Sequence, residues 1–303
     1  MDPCRREFLG RTGAVVLAAT LPYPLQAATS IRKTIPSSGE AIPAIGVGTA
    51  RRYQGASGES ELAPLRASLQ KFMELGGRVI DTAPSYGNAE TVVGSLLAGL
   101  QPKAPPFLAT KVGATGRSAG MAQVENSFKL LRSQRLDLVA VHNLQDIDTQ
   151  LPLLRELKAA GRIRYLGATT STDRQYAAFE DMMKRETLDF VQVDYALDNR
   201  QAGERLLPLA RDRNMGVRIN LPFGRGRLFD ATRGKPLPAW AADFDCGSWA
   251  QFFLKYIISH DAVTCAIPGM AKPEYVVDNM GAATGRLPDA ASRKRMEAFI
   301  DAI

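Results

Sequence analysis

The amino-acid sequence predicts an α/β fold: a (β/α)8 TIM barrel preceded by an N-terminal β-hairpin. Eight short apolar or β-branched runs alternate along the chain with amphipathic stretches of helical period. No long polar linker separates them, and no G-x-G-x-x-G or G-x-x-x-x-G-K motif opens a helical stretch. A chain of 303 residues, 45% hydrophobic and 23% charged, is long enough for one such domain. A doubly wound open sheet is the alternative, and the missing glycine-rich motif counts against it.

The hairpin is predicted from two apolar runs, residues 31–35 and 41–45, that flank a short polar turn. The barrel strands are predicted at residues 45–48, 78–81, 107–111, 136–142, 164–168, 190–193, 216–221 and 263–267. Helices between them are predicted at residues 61–75, 91–100, 123–131, 151–160, 175–184, 204–213 and 249–259. In such a barrel the carboxyl ends of all the parallel strands meet at one rim, where active sites are built.

The first 28 residues predict an export signal that is not part of the fold. Arg5 and Arg6 form a twin-arginine pair, followed by an apolar stretch at residues 14–21 and a small-residue region ending at residue 28. The pattern resembles a bacterial twin-arginine (Tat) signal, although Cys4 stands where Ser or Thr is common.

The apolar stretch is too short to cross a bilayer, which needs about 20 residues. We therefore expect a periplasmic protein with no stable membrane insertion, whose folded domain is residues 29–303. A disordered basic N-terminus is the alternative.

Charge and cysteine content narrow the class of protein further. The net charge of +7 is spread along the chain and forms no basic block, so we expect no nucleic-acid partner. Cys246 and Cys265 are too few and too far apart for a disulfide framework, and both thiols are expected to be buried. His142 and His260 form no metal-ligand pair with them, so no metal site is predicted. We expect a monomer.

Polar residues stand where several predicted strands end. Asp81 ends the second strand and begins the run D-T-A-P-S-Y-G-N-A-E, in which Tyr86 lies in the following loop. Lys111 ends the third strand, His142 the fourth, and Gln192 lies at the end of the sixth. Alone, the lysine would be explained as a solvated strand end and the histidine as a core residue. Because the strand ends meet at one rim, we expect these side chains to converge there as a site.

The run beginning at Asp81 is similar to the D-T-A-x-x-Y-G-x-x-E signature of the aldo-keto reductase family. The strand ends at Lys111, His142 and Gln192 match later family positions in order, and the similarity covers residues 31–303. The resemblance implies a barrel that binds NADP or NAD and reduces a small-molecule aldehyde or ketone.

The residues suit that chemistry. Hydride transfer builds negative charge on the carbonyl oxygen, so a proton donor must stand within about 3 Å of it. Tyr86 has the functional group, and Lys111 is placed as the neighbouring ammonium that makes a phenol a better donor. Asp81 can pair with that ammonium, and His142 can hydrogen-bond the carbonyl oxygen and orient the substrate. This reaction requires no metal.

The resemblance also implies a set of nucleotide contacts. The residues expected to contact the cofactor are Gly48, Thr49, Asp81, Thr169, Thr170, Gln192, Asn220, Leu221, Phe223, Gly224, Pro268, Gly269, Met270, Lys272, Tyr275, Asp278 and Asn279. Asp278 and Asn279 correspond to residues that hold the adenine. Thr170 replaces a family amide beside the nicotinamide, and Asn220 replaces an aromatic ring beneath it.

The positions that recognise the ribose 2′-phosphate depart most from the family. Gly269, Met270 and Tyr275 stand where NADPH-preferring members carry Lys, Ser and Arg. A dianionic phosphate needs donors and positive charge, so the nucleotide preference is open and NAD(H) is a serious candidate. Compensating cations are available in the sequence at Lys272, Arg225 and Arg227.

Two other functions fit the same rim. One is a nucleotide-binding sensor or subunit without turnover, which has no need of a lysine-supported tyrosine. The other is a metal-independent lyase or isomerase that forms a Schiff base at Lys111.

A long connection after the seventh strand contains both tryptophans of the chain. Its aromatic residues are Phe229, Trp240, Phe244 and Trp249. Its position predicts aromatic walls over the mouth of the site, and the alternative is that the rings attach the loop to the barrel. His260, near the opposite end of the barrel, is expected to be structural.

Overall fold

The structure, a computed structural model, describes residues 30–303 except 101 and 103. The predicted export signal therefore lies outside the described residues. The strands are β1 Arg32–Thr34, β2 Ala41–Pro43, β3 Val47–Gly48, β4 Val79–Asp81, β5 Phe107–Val112, β6 Leu136–Val141, β7 Ile163–Thr169, β8 Phe190–Asp194, β9 Gly216–Asn220 and β10 Val263–Ala266. The helices are α1 Glu59–Glu74, α2 Ala89–Leu100, α3 Arg117–Leu130, α4 Ile147–Ala159, α5 Tyr176–Arg185, α6 Ala202–Asp212, α7 Arg227–Ala231, α8 Trp249–Ile258, α9 Pro273–Gly281 and α10 Ala290–Asp301.

Strands β3 to β10 form one parallel sheet in chain order, and β1 pairs with β2 as an antiparallel hairpin. The first and last strands of the sheet meet through parallel bridges, with Gly46 N donating to Ala266 O at 2.8 Å and Gly48 N to Pro268 O at 2.9 Å. A Cβ on Gly48 would lie 2.8 Å from the Ile267 carbonyl oxygen, so only glycine allows this approach. The predicted (β/α)8 barrel with its preceding hairpin is confirmed.

The helices cover the sheet because each presents an apolar stripe to it. In α6, for example, the buried positions recur three to four residues apart, as expected for a helix packed on one side. These positions are Ala202, Leu206, Leu207 and Ala210. Helices α7, α9 and α10 were not among the predicted helices, although Pro273 at the start of α9 and the N-cap Asp289 of α10 are start signals.

Aromatic rings fill the lower interior of the barrel, near the amino ends of the strands. The Phe107 and Tyr165 rings stack at 6.0 Å between centroids, and Phe190 packs edge-on against both. Ile35 and Ile42 of the hairpin are buried against the same cluster. The hairpin therefore closes the bottom of the barrel, and the opposite rim remains for a site.

The tryptophans of the long connection pack on the helical layer. Trp240 lies 5.6 Å from Phe252 and 5.9 Å from Phe299, and Trp249 stacks on Phe253 at 5.7 Å between ring centroids. The Trp240 contacts join the connection to α8 and α10, and Trp249, the first residue of α8, donates from its indole N–H to the Lys235 carbonyl oxygen of the connection at 2.9 Å. For both tryptophans, attachment of the loop accounts for the aromatic residues, and the predicted walls over the mouth are wrong.

Cys265 is buried, as predicted, whereas Cys246 is only partly buried, and both are free thiols. Burial raises the pKa of Cys246 to about 11 and that of Cys265 to about 12, which favours the unreactive thiol form. Across the described part of the chain, no helix combines the length and apolar character needed to cross a membrane.

Candidate active site

A buried ion pair lies just below the rim formed by the carboxyl ends of the barrel strands, called the upper rim below. Asp81 is the last residue of β4, and Lys111 comes from the neighbouring β5; both are almost completely buried. Lys111 Nζ donates to Asp81 Oδ2 at 2.9 Å, to Asp81 Oδ1 at 3.1 Å and to the Thr82 carbonyl oxygen at 2.8 Å. With these acceptors the ammonium is well satisfied despite its burial. A Schiff base would need a free, accessible amine, so this geometry disfavours the lyase alternative.

Tyr86 lies directly above this pair. Its ring centroid is 5.0 Å from Lys111 Nζ, and the side chain is partly exposed at the mouth. The loop that carries it is fixed by Asn88, which accepts from Gly55 N at 2.7 Å and donates to the Ala56 carbonyl oxygen at 2.8 Å. The phenol is therefore held between a buried cation and the solvent-facing opening.

His142 completes the group from the end of β6. Its ring lies edge-on to Tyr86 with 6.1 Å between centroids, and its Nδ1 is 3.3 Å from Ser85 Oγ. Burial and, second to it, the nearby Lys111 charge lower the pKa of His142 to about 4, while Asp81 acts in the opposite direction. The imidazole is therefore neutral near pH 7. When the Ser85 hydroxyl donates to Nδ1, Nε2 carries the proton and can donate to a ligand.

The threonines after β7 are largely occupied by protein contacts. Thr169 Oγ1 accepts from Asn143 N at 3.2 Å, and the Thr170 hydroxyl donates to Gln175 Oε1 at 2.7 Å. Both residues are buried. Their hydroxyls hold the rim loops in place, so replacement of the family amide by Thr170 removes a ligand contact and supplies a loop contact.

Arg218 is a site residue that the sequence analysis did not predict. It lies in β9, is fully buried, and donates to Asp81 Oδ1 and to Gln192 Oε1, each at 2.7 Å. The available signal was a single arginine within the apolar strand Gly216–Asn220. A buried arginine requires acceptors, which here come from two other strands.

The residues present fit a nicotinamide carboxamide. Asn220 Nδ2 donates to the Thr170 carbonyl oxygen at 3.4 Å, which links the end of β9 to the segment after β7. Asn220 Oδ1 is buried without a protein partner within the described residues. This orphaned acceptor lies two residues beyond Arg218, the partner of Gln192 in strand register, and an amide with a free acceptor suits a ligand that offers a donor.

The loop after β9 turns tightly next to Asp198. Leu221 and Gly224 have positive φ values of 49° and 56°, and a Cβ on Gly224 would lie 2.4 Å from Asp198 Oδ2. The Phe223 ring packs at a tilt against Phe229, with 4.9 Å between ring centroids, and Phe229 is 39% exposed. Phe229 is thus the aromatic residue of the long connection that faces the surface beside the site.

Thr49 directly follows β3, the first strand of the barrel. It is buried, and its hydroxyl donates to the Asp81 carbonyl oxygen at 3.0 Å. Gly48 and Pro268 form the bridge between β3 and the segment after β10. These residues shape the rim beside the buried ion pair.

Residues 268–279, expected to bind the adenine and 2′-phosphate end of the nucleotide, include both exposed and buried side chains. Gly269, Lys272 and Tyr275 are exposed, Tyr275 to 52%. Lys272 Nζ lies 4.0 Å from Glu274 Oε1 and 5.6 Å from the Tyr275 ring centroid. Lys272 is the nearest cation of this segment to the position that Tyr275 occupies.

The remaining predicted contacts of this segment have other partners or are buried. The Met270 side chain packs in the core with 1% exposure, so it does not face a ligand as we expected. Asp278 accepts hydrogen bonds from Ser248 and Gln251, which join α9 to α8. Asn279 is buried, with 3% of its surface exposed.

A phenol above a buried lysine and beside a neutral histidine, at the carboxyl rim of a (β/α)8 barrel, is an arrangement typical of an enzyme active site. The chain belongs to the aldo/keto reductase family: the sequence profile described as "Aldo/keto reductase family" matches residues 44–298.

Individual relatives are more distant. The chain is similar to the aldo-keto reductase YhdN of Bacillus subtilis, with 28% identity over 64% of this chain and 62% of that protein. It therefore spans less than two thirds of that relative's length. It is also similar to the NADH-specific methylglyoxal reductase of Escherichia coli, with 24% identity over 71% of this chain and 81% of that protein.

Among solved structures, the chain is similar to an aldo/keto reductase from Klebsiella pneumoniae in complex with NADP and acetate. The TM-score is 0.75 and the identity 26%, covering 89% of this chain and 95% of that chain.

Proposed function

We propose that this chain is an NAD(P)H-dependent oxidoreductase that reduces an aldehyde or ketone to an alcohol, or catalyses the reverse reaction, with Tyr86 as the proton donor. The observation that carries the proposal is the arrangement of Tyr86 between the buried Lys111–Asp81 pair and the neutral His142. A site for binding alone gains nothing from a cation beneath a phenol.

In this mechanism, a bound reduced nicotinamide nucleotide would supply the hydride for the carbonyl carbon. Tyr86 Oη gives its proton to the carbonyl oxygen, where the negative charge develops. Lys111 stabilises the phenolate that remains, and the second bond of Asp81 to Arg218 holds the carboxylate in place. The neutral His142 donates a hydrogen bond from Nε2 to the same oxygen and orients the carbonyl group.

The residues that would hold the nicotinamide are Gln192 and Asn220. The Asn220 Oδ1 acceptor, which lacks a protein partner in the described chain, would receive an N–H of the carboxamide. The Gln192 amide would contact the other end of the same group. These contacts replace the aromatic stacking that Asn220 cannot provide.

The proposed nucleotide is NADP or NAD. The Klebsiella structure holds NADP, and the Escherichia coli relative is described as NADH-specific, so both choices occur among similar proteins. In this chain the exposed Tyr275 and Gly269 bring no positive charge to a 2′-phosphate. We therefore infer at most a small preference for NADPH.

An absorbance assay tests the proposal. The purified protein is mixed with NADPH or NADH and a reactive aldehyde such as methylglyoxal, and oxidation of the nucleotide is followed at its near-ultraviolet band. The expected result is aldehyde-dependent oxidation by the wild type. Nucleotide binding without turnover over a panel of aldehydes and ketones would instead support the sensor alternative.

We further propose that the protein acts as a monomer in the periplasm after twin-arginine export. Support comes from the Arg5-Arg6 pair, the short apolar stretch after it and the small-residue region that ends at residue 28. Export of a folded chain would let the nucleotide bind before translocation, and bound nucleotide stabilises the folded state.

A further inference from the structure

Arg218 adds a second buried cation beside Asp81. Its Nη1 donates to Asp81 Oδ1 and its Nη2 to Gln192 Oε1, both at 2.7 Å, and the side chain has no exposed surface. Asp81 also pairs with Lys111 at 2.9 Å. One carboxylate thus serves two buried cations, so the group formed by Asp81, Lys111 and Arg218 carries one net positive charge.

We propose that Arg218 is a positioning residue that orients the Gln192 amide toward the nicotinamide and makes the site favour the reduced nucleotide over the oxidised one. The inference rests on the proposed function, in which Gln192 contacts the nicotinamide carboxamide. It assigns a role in nucleotide recognition to a residue of β9 that lies inside the barrel.

The orientation follows from hydrogen-bond chemistry. A guanidinium has only donors, so the atom of Gln192 that faces Arg218 must be the acceptor Oε1. The Nε2 group of Gln192 is then directed away from Arg218. Gln192 therefore offers a donor to the carboxamide oxygen, while Asn220 Oδ1 offers an acceptor to the carboxamide nitrogen. The two amides together specify one orientation of the carboxamide.

The two redox states of the nicotinamide ring differ in charge. The oxidised nicotinamide ring carries a positive charge and the reduced ring is neutral. A buried unit charge about 10 Å away, at an effective dielectric constant of about 20, changes a binding equilibrium by about tenfold. Arg218 therefore weakens binding of the oxidised nucleotide relative to the reduced one, which helps release the product of carbonyl reduction.

Dissociation constants of the wild type and three variants test the proposal without an activity measurement. The nucleotides are NADPH with NADP⁺, or NADH with NAD⁺, whichever pair the wild type binds more tightly, titrated by calorimetry. Arg218→Met removes the charge and the contact with Gln192. Arg218→Lys keeps the charge but replaces the two Nη donors, which bond Asp81 and Gln192 separately, by a single nitrogen, so the contact that orients Gln192 is altered. Arg205→Met is the matched control, because Arg205 is an exposed residue paired with Glu180 on the outer surface.

The proposal predicts that Arg218→Met lowers the ratio of the oxidised to the reduced dissociation constant by about tenfold. Arg218→Lys should keep that ratio and weaken both nucleotides by the same factor, about threefold or more. Arg205→Met should change neither constant. A purely structural role for Arg218 predicts no change in the ratio for any variant.

An unchanged ratio in Arg218→Met would overturn the proposal. If that variant does not fold, Arg218→Gln takes its place, and an unchanged ratio in that variant overturns the proposal equally, because removal of the positive charge would then have no effect on the choice between the two redox states. If the wild type itself binds none of the four nucleotides, the proposed function fails, and this inference fails with it. The two failures are distinguished by the wild-type titration.

Discussion

Lowering the pH should destabilise the folded protein through His142. The loss of unfolding free energy follows from the pKa of His142 in the folded and unfolded states. Burial depresses the pKa of His142 from 6.5 to about 4 in the folded state. The unfolded chain therefore takes up a proton first as the pH falls. The stabilisation is fully present above pH 6.5, is lost between pH 6.5 and 4, and changes little below pH 4.

The magnitude follows from the two pKa values. Between pH 8 and pH 5 the loss is about 2 kcal/mol, and below pH 4 it approaches about 3 kcal/mol. Other groups also titrate in this range, so the comparison must isolate one histidine. His142→Gln keeps a polar side chain of similar size and removes the titration.

The assay is urea unfolding followed by tryptophan fluorescence at pH 8, 7, 6 and 5, for the wild type and His142→Gln. The difference in unfolding free energy between the two proteins should shift by about 2 kcal/mol between pH 8 and pH 5, with the variant losing less. His260→Gln is the matched comparison, because burial also lowers the pKa of His260 to about 4, with Arg293 as the second cause.

A constant difference between wild type and His142→Gln at all four pH values would refute the reasoning. Proton NMR gives an independent check, because the chain has only two histidines. Neither should titrate between pH 8 and pH 5.5, and a midpoint near 6.5 for His142 would show that the site is open to water.

Three further outcomes are expected. Tyr86→Phe should reduce turnover by at least about 100-fold while nucleotide dissociation constants, measured by fluorescence, stay within a few-fold; substantial remaining turnover excludes Tyr86 as the proton donor. Because Gly269 and Tyr275 stand where positive charge is expected, NADPH and NADH should differ in affinity by far less than 100-fold at low salt, equivalent to about 2.7 kcal/mol. A larger NADPH preference would reveal a phosphate site elsewhere. Arg5→Lys combined with Arg6→Lys should leave folded, active protein in the cytoplasm and none in the periplasm. Cell fractionation with an activity stain decides this, and efficient export would mean the arginine pair is not the signal.

The upper rim was predictable because its residues follow apolar runs in a regular alternation. Asp81 and Lys111 stand at the ends of neighbouring parallel strands, and the barrel brings such ends together whatever the details of packing. Tyr86 could be placed because its loop follows Asp81 directly. Chain order and strand direction were sufficient to predict that these groups lie close together.

Arg218 could not be placed in this way. A charged residue between Val217 and Ile219 is equally consistent with a side chain that faces outward. Its acceptors are 137 and 26 residues away in sequence. The prediction that the tryptophans of the long connection cover the mouth was wrong for a similar reason. The hydrophobicity of a loop does not specify which surface the loop covers. Phe252 and Phe299, which receive Trp240, belong to helices α8 and α10.

The closed lower end of the barrel has a practical consequence for anything joined to the N-terminus. Ile31 N bonds to the Ala283 carbonyl oxygen just after α9, and the hairpin that follows seals the face opposite Tyr86. A leader, an affinity tag or a surface linker attached ahead of Ser30 would therefore enter the domain at its base. Immobilising the enzyme by that end would leave the catalytic mouth pointing away from the support and open to solution.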